Sequence, residues 1–503
     1  MTVIKLSKLR DGTVNLVFTP CAILFILEDY MKNEKITLRS EDFAKWFTDV
    51  VKAAKLADYS GVKGCTILEP NGYAIWEKMQ SVLDQMFKKT GHQNVYLPVL
   101  IPESLLRKEG ELISGFAPEC AWVTECGKNT LEERLAFRPT SETLFSEYYS
   151  RCVKTYRDLP KLYNQWANII RWEKETRPFL RSREILWQEG HTVHSNEAEA
   201  KAETERMLDV YREFFEDYLA IPVLTGKKTE KEKFAGAEYT LTVEALMQNG
   251  VCLQSATSHY FGQKFSKAYG IKFINKNNEY DYCYQTSWGC STRMIGALIM
   301  AHSDDRGLVL PPKIAPKQVV IIPITNDEKL ISVCEHIKES LDSKDITSYV
   351  DYSDKSAGFK FAEAEVNGIP IRLEVGLRDL EKNEVTAVRR DTLEKKVIKL
   401  NDVVNTCIQQ LDEMQTDMFN KALKEKENKT YEATTLDEVK EIMENHPGFV
   451  NAHWCGDEAC ELKMKEIRGT KSRCITETKD YTEEKCVVCG KPAKHNVVWG
   501  IQY

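Results

Sequence analysis

Hydrophobic and polar positions along this chain follow both the helical period and the strand period, which predicts a protein of mixed α and β structure. Helices are predicted where apolar residues recur every three or four positions, at 41–58, 72–90 and 197–219. Strands are predicted at 65–68, 94–101, 162–171 and 186–191. Pro98 falls inside one of these strands, and this residue type favours a sheet edge or an interface.

The pattern after Pro312 predicts a separate α/β layer, because strands and helices alternate there. Strands are predicted at 318–323, 346–350, 371–375 and 385–389, with a helix at 326–341. A lysine- and glutamate-rich helical connector is predicted at 423–444.

The composition is that of an ordinary soluble globular protein, and the predicted location is the cytoplasm. A chain of 503 residues is long enough for two to four domains. The net charge of −7 excludes a globally basic nucleic-acid coat, although a local basic groove remains open. The fifteen cysteines without a small secreted framework indicate a reducing compartment. The apolar run at 21–27 is too short to span a membrane, so it predicts a buried strand or a docking element. The first forty residues receive no function.

The segment from Arg171 to His191 is the densest mixture of cations, carboxylates and aromatic rings. Its arginines are Arg171, Arg177, Arg181 and Arg183, whose planar groups suit phosphate oxygens. Its glutamates Glu173, Glu184 and Glu189 can balance those charges, hold Mg²⁺ or bind a cationic substrate. The alternative is a hairpin whose charges pair on a solvated face.

Two further segments have both a structural and a chemical interpretation. Thr140, Ser141 and Glu142 can cap a helix or hold an ammonium group. Arg293 opens a predicted helix, where it either faces an anion such as a triphosphate or extends over apolar neighbours to solvent. Because the sequence contains no glycine-rich phosphate loop, a nucleotide must be held by arginines.

Together these segments resemble the class II aminoacyl-tRNA synthetases, specifically prolyl-tRNA synthetase of the eukaryote/archaeon-like type. Residues 94–98 are similar to motif 1, 171–191 to motif 2 and 289–293 to motif 3. The segments whose sequence resembles that of prolyl-tRNA synthetase in particular are 116–124, 138–142, 187–191, 229–236, 257–259 and 307–312. The resemblance implies an antiparallel-sheet catalytic core at 41–312, an α/β anticodon-binding domain at 313–420 and a small Cys-rich α+β domain at 421–503, after an extension at 1–40.

The resemblance also implies the reaction: ATP-dependent ligation of L-proline to tRNA(Pro) through prolyl-adenylate, with Mg²⁺ bridging the phosphates. Arg171 is expected on the α-phosphate and Arg293 on the γ-phosphate. The other residues expected around ATP are Glu173 at the adenine, Arg181, Ser182, Gln254, Thr257, Ser291 and Thr292. The residues expected around proline are Phe116, Thr140, Glu142, Trp187, Glu189, His191, His259 and Trp288.

The chain departs from the family pattern in three places. Ser291 stands where threonine is expected, the loop 174–178 is one residue short, and Leu377 replaces a proline. Too few residues separate motifs 2 and 3 for a large editing insertion. A proline-sized pocket rejects alanine only weakly, so we expect alanine activation without clearance of mischarged tRNA in cis.

The anticodon-binding domain and the C-terminal end carry further candidates. The charged residues that could touch anticodon bases and phosphates are Arg372, Glu374, Arg378, Arg389 and Arg390, although solvated strand-edge charge is the favoured interpretation for any single one of them. Cys455, Cys460, Cys486 and Cys489 have the paired spacing of a structural Zn²⁺ site, with four free core cysteines as the alternative.

Three functional hypotheses therefore stand. The first is an active prolyl-tRNA synthetase, a homodimer that binds neither DNA nor membrane. The second is a class II ligase for another amino acid, which the segment 187–191 disfavours. The third is a non-catalytic tRNA-binding paralogue, which the presence of Arg171, Glu142 and Arg293 disfavours.

Overall fold

The computed structural model describes residues 5–8, 14–17, 36–112, 120–479, 481 and 483–503. The predicted strand at 21–27 lies outside these residues. The chain divides into two compact units. The larger unit comprises 57–302, 311–316 and 412–503, and the smaller unit comprises the residues before 57 with 303–310 and 317–411.

The strands, numbered along the chain, are β1 Lys5–Lys8, β2 Val14–Val17, β3 Ala57–Tyr59, β4 Thr66–Leu68, β5 Gln93–Asn94, β6 Leu100–Pro102, β7 Trp122–Cys126, β8 Asn129–Phe137, β9 Lys161–Ile170, β10 Glu184–His194, β11 Val223–Lys227, β12 Tyr239–Leu246, β13 Cys252–Gly262, β14 Lys272–Ile274, β15 Tyr280–Tyr282, β16 Tyr284–Ser291, β17 Val319–Pro323, β18 Ser348–Val350, β19 Ile371–Val375, β20 Glu384–Arg389, β21 Lys395–Lys399, β22 Thr430–Glu432, β23 Phe449–Trp454, β24 Thr470–Thr478 and β25 His495–Ile501.

The helices are α1 Phe43–Ala53, α2 Pro70–Lys89, α3 Glu103–Leu112, α4 Glu142–Cys152, α5 Glu197–Glu213, α6 Lys264–Tyr269, α7 Arg293–His302, α8 Glu328–Asp342, α9 Ala357–Val366, α10 Leu377–Leu380, α11 Val403–Asn428, α12 Leu436–Asn445 and α13 Glu458–Glu466. None of the helices in the described part of the chain is both long and apolar enough to cross a bilayer.

The larger unit is built on one sheet of eleven strands in the order β22-β23-β25-β24-β11-β12-β13-β16-β10-β9-β5. Its central strands, from β11 to β9, pair antiparallel, which confirms the predicted antiparallel core. Strand β24 joins β11 at the pair Lys227 and Ile475, so the strands that follow residue 421 continue this sheet. The bounds of the four predicted domains stay predictions.

Helix α2 illustrates why the larger unit folds as the sequence pattern predicts. Pro70 occupies the first helical position, where its missing N–H costs nothing. The buried face carries Trp76, Met79 and Leu83 at helical spacing. Gly91, with φ of +88°, lets the chain turn away after the helix.

Two predicted elements differ from the structure for identifiable reasons. The strand predicted at 94–101 is split into β5 and β6, with Pro98 in the gap, because proline has no N–H to donate to a ladder. The single helix predicted at 423–444 is wrong. Helix α11 ends at Asn428, β22 follows, and α12 starts afresh with a capping box in which Thr435 and Glu438 bond each other's backbone N–H groups.

The smaller unit has a five-stranded sheet in the order β18-β17-β19-β20-β21. Strand β17 runs parallel to β18 and β19, while β20 and β21 pair antiparallel. Its core includes Val319 and Ile321 from β17, Leu330 from α8 and Leu373 from β19. The predicted α/β layer is confirmed, with the carboxyl ends of three parallel strands at one edge.

Candidate active site

The candidate site lies on one face of the central strands of the larger unit. Residues in register across β10, β16 and β13 are Glu189, Gly289 and Thr257 in one row, and His191, Ser287 and His259 in the next. Alternate residues of a strand face the same side of a sheet. The pairing therefore gathers predicted residues from segments almost seventy positions apart onto one surface.

Glu189 is the buried carboxylate at the centre of this surface. Its Oε1 accepts hydrogen bonds from Ser141 Oγ and Gln165 Nε2, each at 2.5 Å. Its Oε2 lies 3.2 Å from His191 Nε2. Burial opposes the ionisation of Glu189. The hydrogen bond and the charge of His191, together with the hydrogen bonds of Ser141 and Gln165, outweigh burial and lower the pKa of Glu189. The site thus holds a negative charge at neutral pH.

Glu142, in the first turn of α4, supplies a second buried carboxylate. It accepts a short hydrogen bond from the Thr140 hydroxyl. Its other oxygen accepts from Ser287 Oγ at 3.3 Å. Ser141, at the N-cap position of α4, makes no side-chain cap bond and donates to Glu189 instead. The hydroxyls of Thr140 and Ser141 therefore donate to the two carboxylates instead of capping the helix.

The two predicted histidines have different surroundings. The ring of His191 stacks on Phe145, with centroids 4.2 Å apart. His259 is held between Thr240 Oγ1, 2.8 Å from Nδ1, and Thr257 Oγ1, 2.9 Å from Nε2. Burial, with the charge of His191 adding to it, lowers the pKa of His259 to about 3, so this ring is neutral at pH 7.

Arg171 and Arg293 are partly buried in the same region, and among the described residues neither forms a close ion pair. Arg171 Nε donates to Pro139 O at 3.0 Å, and Arg293 donates to Leu180 O and Gln254 O, each at 3.3 Å. Burial is the largest cause of the lowered pKa of Arg293. The positive charges of Arg171 and Arg181 lower this pKa further. Like charges so placed are favourable when an anion joins them.

Arg171 also links the cations to the carboxylates. Burial lowers its pKa, while the negative charges of Glu142, Glu189 and Glu173 act in the opposite direction. The guanidinium carbon lies 5.4 Å from the centre of the Trp187 ring. The site therefore presents carboxylates and arginines next to each other, as needed by one ligand with a cationic group and another with a polyanionic group.

Tyr503 also belongs to this region, although no pattern in the sequence indicates it. Tyr503 accepts a short hydrogen bond from Arg177, whose guanidinium lies 5.5 Å from the tyrosine ring centre. Its backbone N–H donates to Cys252 O at 3.1 Å. Burial raises the pKa of Tyr503 against the opposing charges of Arg177, Arg181 and Arg293. No motif connects residues 326 positions apart.

Comparison with known proteins matches three parts of the chain to described families. Residues 122–302 match the tRNA synthetase class II core domain (G, H, P, S and T), 318–410 an anticodon binding domain, and 436–503 the prolyl-tRNA synthetase C-terminal domain. "Proline--tRNA ligase" of Clostridium novyi is 54% identical over 471 residues, which cover 93% of this chain and 98% of that protein. The chain belongs to the proline–tRNA ligase family.

Other relatives give the same family. "Proline--tRNA ligase" of Agathobacter rectalis is 55% identical over 472 residues, covering 93% of this chain and 98% of that protein. "Proline--tRNA ligase 2" of Bacillus cereus is 54% identical over 475 residues, covering 93% and 99%. The ligase is a class II aminoacyl-tRNA synthetase, as the sequence analysis predicts.

One predicted pocket residue of the ligase faces the other side of the sheet. Trp288 pairs in register with Gly190, one position away from the Glu189 row. A Cβ on Gly190 would lie only 2.1 Å from the indole of Trp288, which packs instead among Phe87, His92 and Tyr211. Its place in the proline pocket was wrong because adjacent strand residues point to opposite faces. Phe116 lies outside the described residues.

The remaining predicted residues are distributed around the arginines. Ser291 Oγ accepts from the Arg293 backbone N–H at 3.2 Å, and Thr292 N donates to Leu186 O at 3.0 Å. Ser182 is buried and Arg181 is exposed. Gln254 contributes its carbonyl to Arg293. Sequence reasoning missed Gln165 and Ser287, whose partners become visible only through strand pairing.

The four predicted cysteine ligands come together in the C-terminal region of the ligase. The sulfur atoms of Cys455, Cys460, Cys486 and Cys489 all lie within 4.8 Å of one another. Cys455 Sγ is 3.8 Å from Cys460 Sγ and 3.7 Å from Cys489 Sγ. Four ligands at the Zn–S distance of about 2.3 Å in a tetrahedron are about 3.8 Å apart. The spacing therefore fits a tetrahedral zinc site.

Most of the arginines predicted to touch the anticodon are buried instead. Arg372 contacts Glu365 and Glu374, each at 3.0 Å. Arg390 bonds both carboxylate oxygens of Asp304, at 2.7 and 2.8 Å. Arg389 pairs with Asp391, whereas Arg378 is exposed. The buried residues fit neither interpretation, since their charge is used in ion pairs inside the smaller unit.

Proposed function

We propose that this ligase joins L-proline to tRNA(Pro) in two steps at the site around Glu189, Arg171 and Arg293. An oxygen of the proline carboxylate attacks the α-phosphorus of ATP, and the bond from that phosphorus to the β-phosphate bridge breaks, releasing pyrophosphate. A 3′-terminal ribose hydroxyl of the tRNA then attacks the prolyl carbonyl, and AMP leaves. No covalent enzyme intermediate is required, so the residues act by positioning and electrostatics.

The carboxylate side of the site is proposed to bind proline. The secondary ammonium of proline is a compact cation with two N–H donors, and Glu189 and Glu142 offer buried acceptors for it. Trp187 and His191 border the same carboxylates and suit an apolar ring. Neutral His259 and Thr140 complete the set. Phe116 stays a prediction.

The arginine side is proposed to bind ATP. Arg171 lies between carboxylates and cations, where the proline carboxylate would meet the α-phosphate, and Arg293 is proposed for the γ-phosphate. The proposed neighbours of the nucleotide are Glu173, Arg181, Ser182, Gln254, Thr257, Ser291 and Thr292. Mg²⁺ is proposed to arrive with ATP and bridge its phosphates, since this ion is usually held by substrate phosphates with few protein ligands.

One arrangement supports this assignment above the others: the charges of Glu142, Glu189 and Glu173 act on Arg171, and the charge of Arg171 acts on Arg293. The test is ATP–pyrophosphate exchange by the purified protein with each amino acid in turn, followed by aminoacylation of tRNA(Pro). We expect proline-dependent exchange and charging. Exchange that depends on another amino acid, or none at all, would contradict the proposal.

The anticodon of the tRNA is proposed to bind at the carboxyl ends of β17, β18 and β19 in the smaller unit. Ligands of open α/β sheets bind at this edge. The exposed aromatic residues Tyr352 and Phe359 follow β18, with Lys355 between them. Unstacked bases of an RNA loop bind aromatic faces, and lysine binds phosphate. This surface replaces the buried arginines as the candidate tRNA contact.

A structural zinc ion is proposed at the four cysteines. The fit of their spacing supports it, and zinc held by four thiolates has no open position for chemistry. Elemental analysis of the purified protein tests this, with about one zinc expected per chain. Cys486→Ala is expected to lose the metal, and Cys126→Ala, which changes an exposed cysteine elsewhere, is expected to keep it.

The chain is further proposed to be of the eukaryote/archaeon-like type without an editing domain. Residues 195–283 form α5, α6 and β11 to β15 within the larger unit. Alanine-dependent exchange is therefore expected without hydrolysis of Ala-tRNA(Pro). Efficient hydrolysis in a deacylation assay would contradict this.

A homodimer is proposed from the exposed apolar side chains between 57 and 96. They are Tyr59, Val62, Ile67, Tyr73 and Tyr96, each more than 40% exposed. Exposed aromatic residues are enriched where subunits meet. Light scattering of the purified ligase is expected to give twice the mass of one chain. The cytoplasm stays the predicted location.

A further inference from the structure

Gln165 is a fully buried side chain on β9 whose every polar atom is engaged. Its Nε2 donates to Glu189 Oε1 at 2.5 Å and to Ser141 Oγ at 3.1 Å. Its Oε1 accepts from the backbone N–H of Leu97 at 3.0 Å. The amide thus connects the segment before β6 to the carboxylate of the proposed proline site.

The orientation of this amide is fixed by its partners. The Leu97 N–H can only donate, so the amide oxygen must face it, and the NH₂ group is then directed at Glu189. Ser141 completes the arrangement, since its hydroxyl accepts from Gln165 and donates to Glu189. A residue without an NH₂ group at this position would leave Glu189 one donor short.

We infer that Gln165 is a positioning residue for proline activation, which holds the carboxylate of Glu189 in place for the substrate ammonium. The inference rests on the proposed function of the site. It assigns no contact between Gln165 and substrate. Gln165 acts through Glu189, and the Leu97 backbone acts through Gln165.

Other charged and titratable groups lie around Glu189 and can also make the KM for proline depend on pH. His191 lies on the same strand at 3.2 Å, and Arg171 carries the nearest cation of the ATP side. Glu142, on α4, acts on the same arginine. Because these groups also titrate or carry charge, each variant is compared with the unsubstituted ligase at every pH.

Gln165→Glu is the sharpest variant because it preserves shape and still accepts from Leu97. At high pH it places a second carboxylate against Glu189, and at low pH its protonated form regains a donor. The KM for proline in the exchange assay is expected to rise at least about tenfold at pH 8. The ratio to the unsubstituted ligase is expected to fall as the pH is lowered to 6. The KM for ATP is expected to change much less.

Gln165→Met separates hydrogen bonding from packing, since methionine has a similar size and no donor. Its KM for proline is expected to rise about tenfold at both pH values. The control is Gln285→Met, because Gln285 is also buried in the central sheet but bonds Ser266 and Ser146 instead of Glu189. The control is expected to keep the KM for proline within about twofold.

The possible outcomes are distinct. A pH-independent ratio for Gln165→Glu, equal changes in the KM for proline and ATP, or a normal KM in Gln165→Met would overturn the inference. A comparable loss in Gln285→Met would also overturn it, because the effect would then be a general response to a buried polar loss. If the unsubstituted ligase showed no proline-dependent exchange, the proposed function would fail instead.

Discussion

Two sets of arginines in this ligase have opposite surroundings. In the larger unit, Arg171 and Arg293 are partly buried, the charge of Arg171 acts on Arg293, and within the described residues their side chains donate to backbone carbonyl groups. In the smaller unit, Arg372 and Arg390 are buried in close ion pairs with carboxylates of the same unit. An arginine with its charge balanced stabilises a fold, whereas a cluster of unbalanced arginines is arranged for an anion.

This difference also shows what sequence can and cannot indicate. Both sets lie on or beside strands and both look like candidates for phosphate. What separates them is the identity of their neighbours in space, such as Glu365 beside Arg372, seven positions along the chain, or Asp304 beside Arg390, 86 positions away. Burial and pairing together therefore predict the role of an arginine better than its motif does.

Removing an unbalanced arginine is expected to have the largest effect on activity. Arg171→Ala is expected to lower kcat/KM for proline-dependent exchange about 100- to 1,000-fold, since it removes charge stabilisation at the reacting phosphate. Its free energy of unfolding is expected to fall little, because removing the like charge that acts on Arg293 offsets the positive charge lost near Glu142 and Glu189. The control is Arg212→Ala on α5, which removes only exposed ion pairs and is expected to leave exchange unchanged. If Arg171→Ala lost stability and activity together, the comparison would fail.

Removing an arginine that is held in close ion pairs is expected to lower stability and to leave activity unchanged, the reverse of the effect at Arg171. Arg372→Ala leaves Glu365 and Glu374 buried without their cation, and we expect it to lower the free energy of unfolding by about 3 kcal/mol. Urea denaturation measures this. The exchange rate at a temperature where the protein stays folded is expected to be unchanged. Arg378→Ala, an exposed arginine of the same unit, is expected to change the free energy of unfolding by less than about 0.5 kcal/mol.

Local patterns were sufficient for much of the fold. The strand predicted at 371–375 is observed with the same bounds, because the apolar residues Ile371, Leu373 and Val375 recur at every second position, which is the period of a strand. The register of the central sheet was not predictable, and it decided that Trp288 faces away from Glu189. The pairing of Arg177 with Tyr503 depends on the whole intervening chain, so no local pattern indicates it.

The exposed aromatic residues of the smaller unit test whether tRNA binding depends on them rather than on its arginines. Phe359, 54% exposed, is expected to stack on a base of the anticodon loop. Phe359→Ala is expected to raise the KM for tRNA(Pro) about tenfold. Proline-dependent exchange, which does not use tRNA, is expected to be unchanged. Tyr280→Ala, which removes an exposed aromatic residue of the larger unit, is the control and is expected to leave both values unchanged.

The smallest expected effect concerns His259, a buried base that the fold keeps neutral between Thr240 and Thr257. Its pKa of about 3 is below the ordinary value of 6.5, so between these values the unfolded chain binds a proton that the folded ligase excludes. Stability therefore rises with pH across this window and is lost on acidification. Between pH 6.5 and 5.5 we expect His259 to account for about 1 kcal/mol of that loss.

His302, whose pKa burial lowers to about 4, adds a loss of the same sign. His259→Asn is expected to reduce the slope of unfolding free energy against pH, measured by urea denaturation, and His302→Asn to reduce it by a similar amount. An unchanged slope in His259→Asn would mean that this ring binds protons equally in the folded and the unfolded chain, and it would then not be one of the groups that the fold keeps neutral on the proline side.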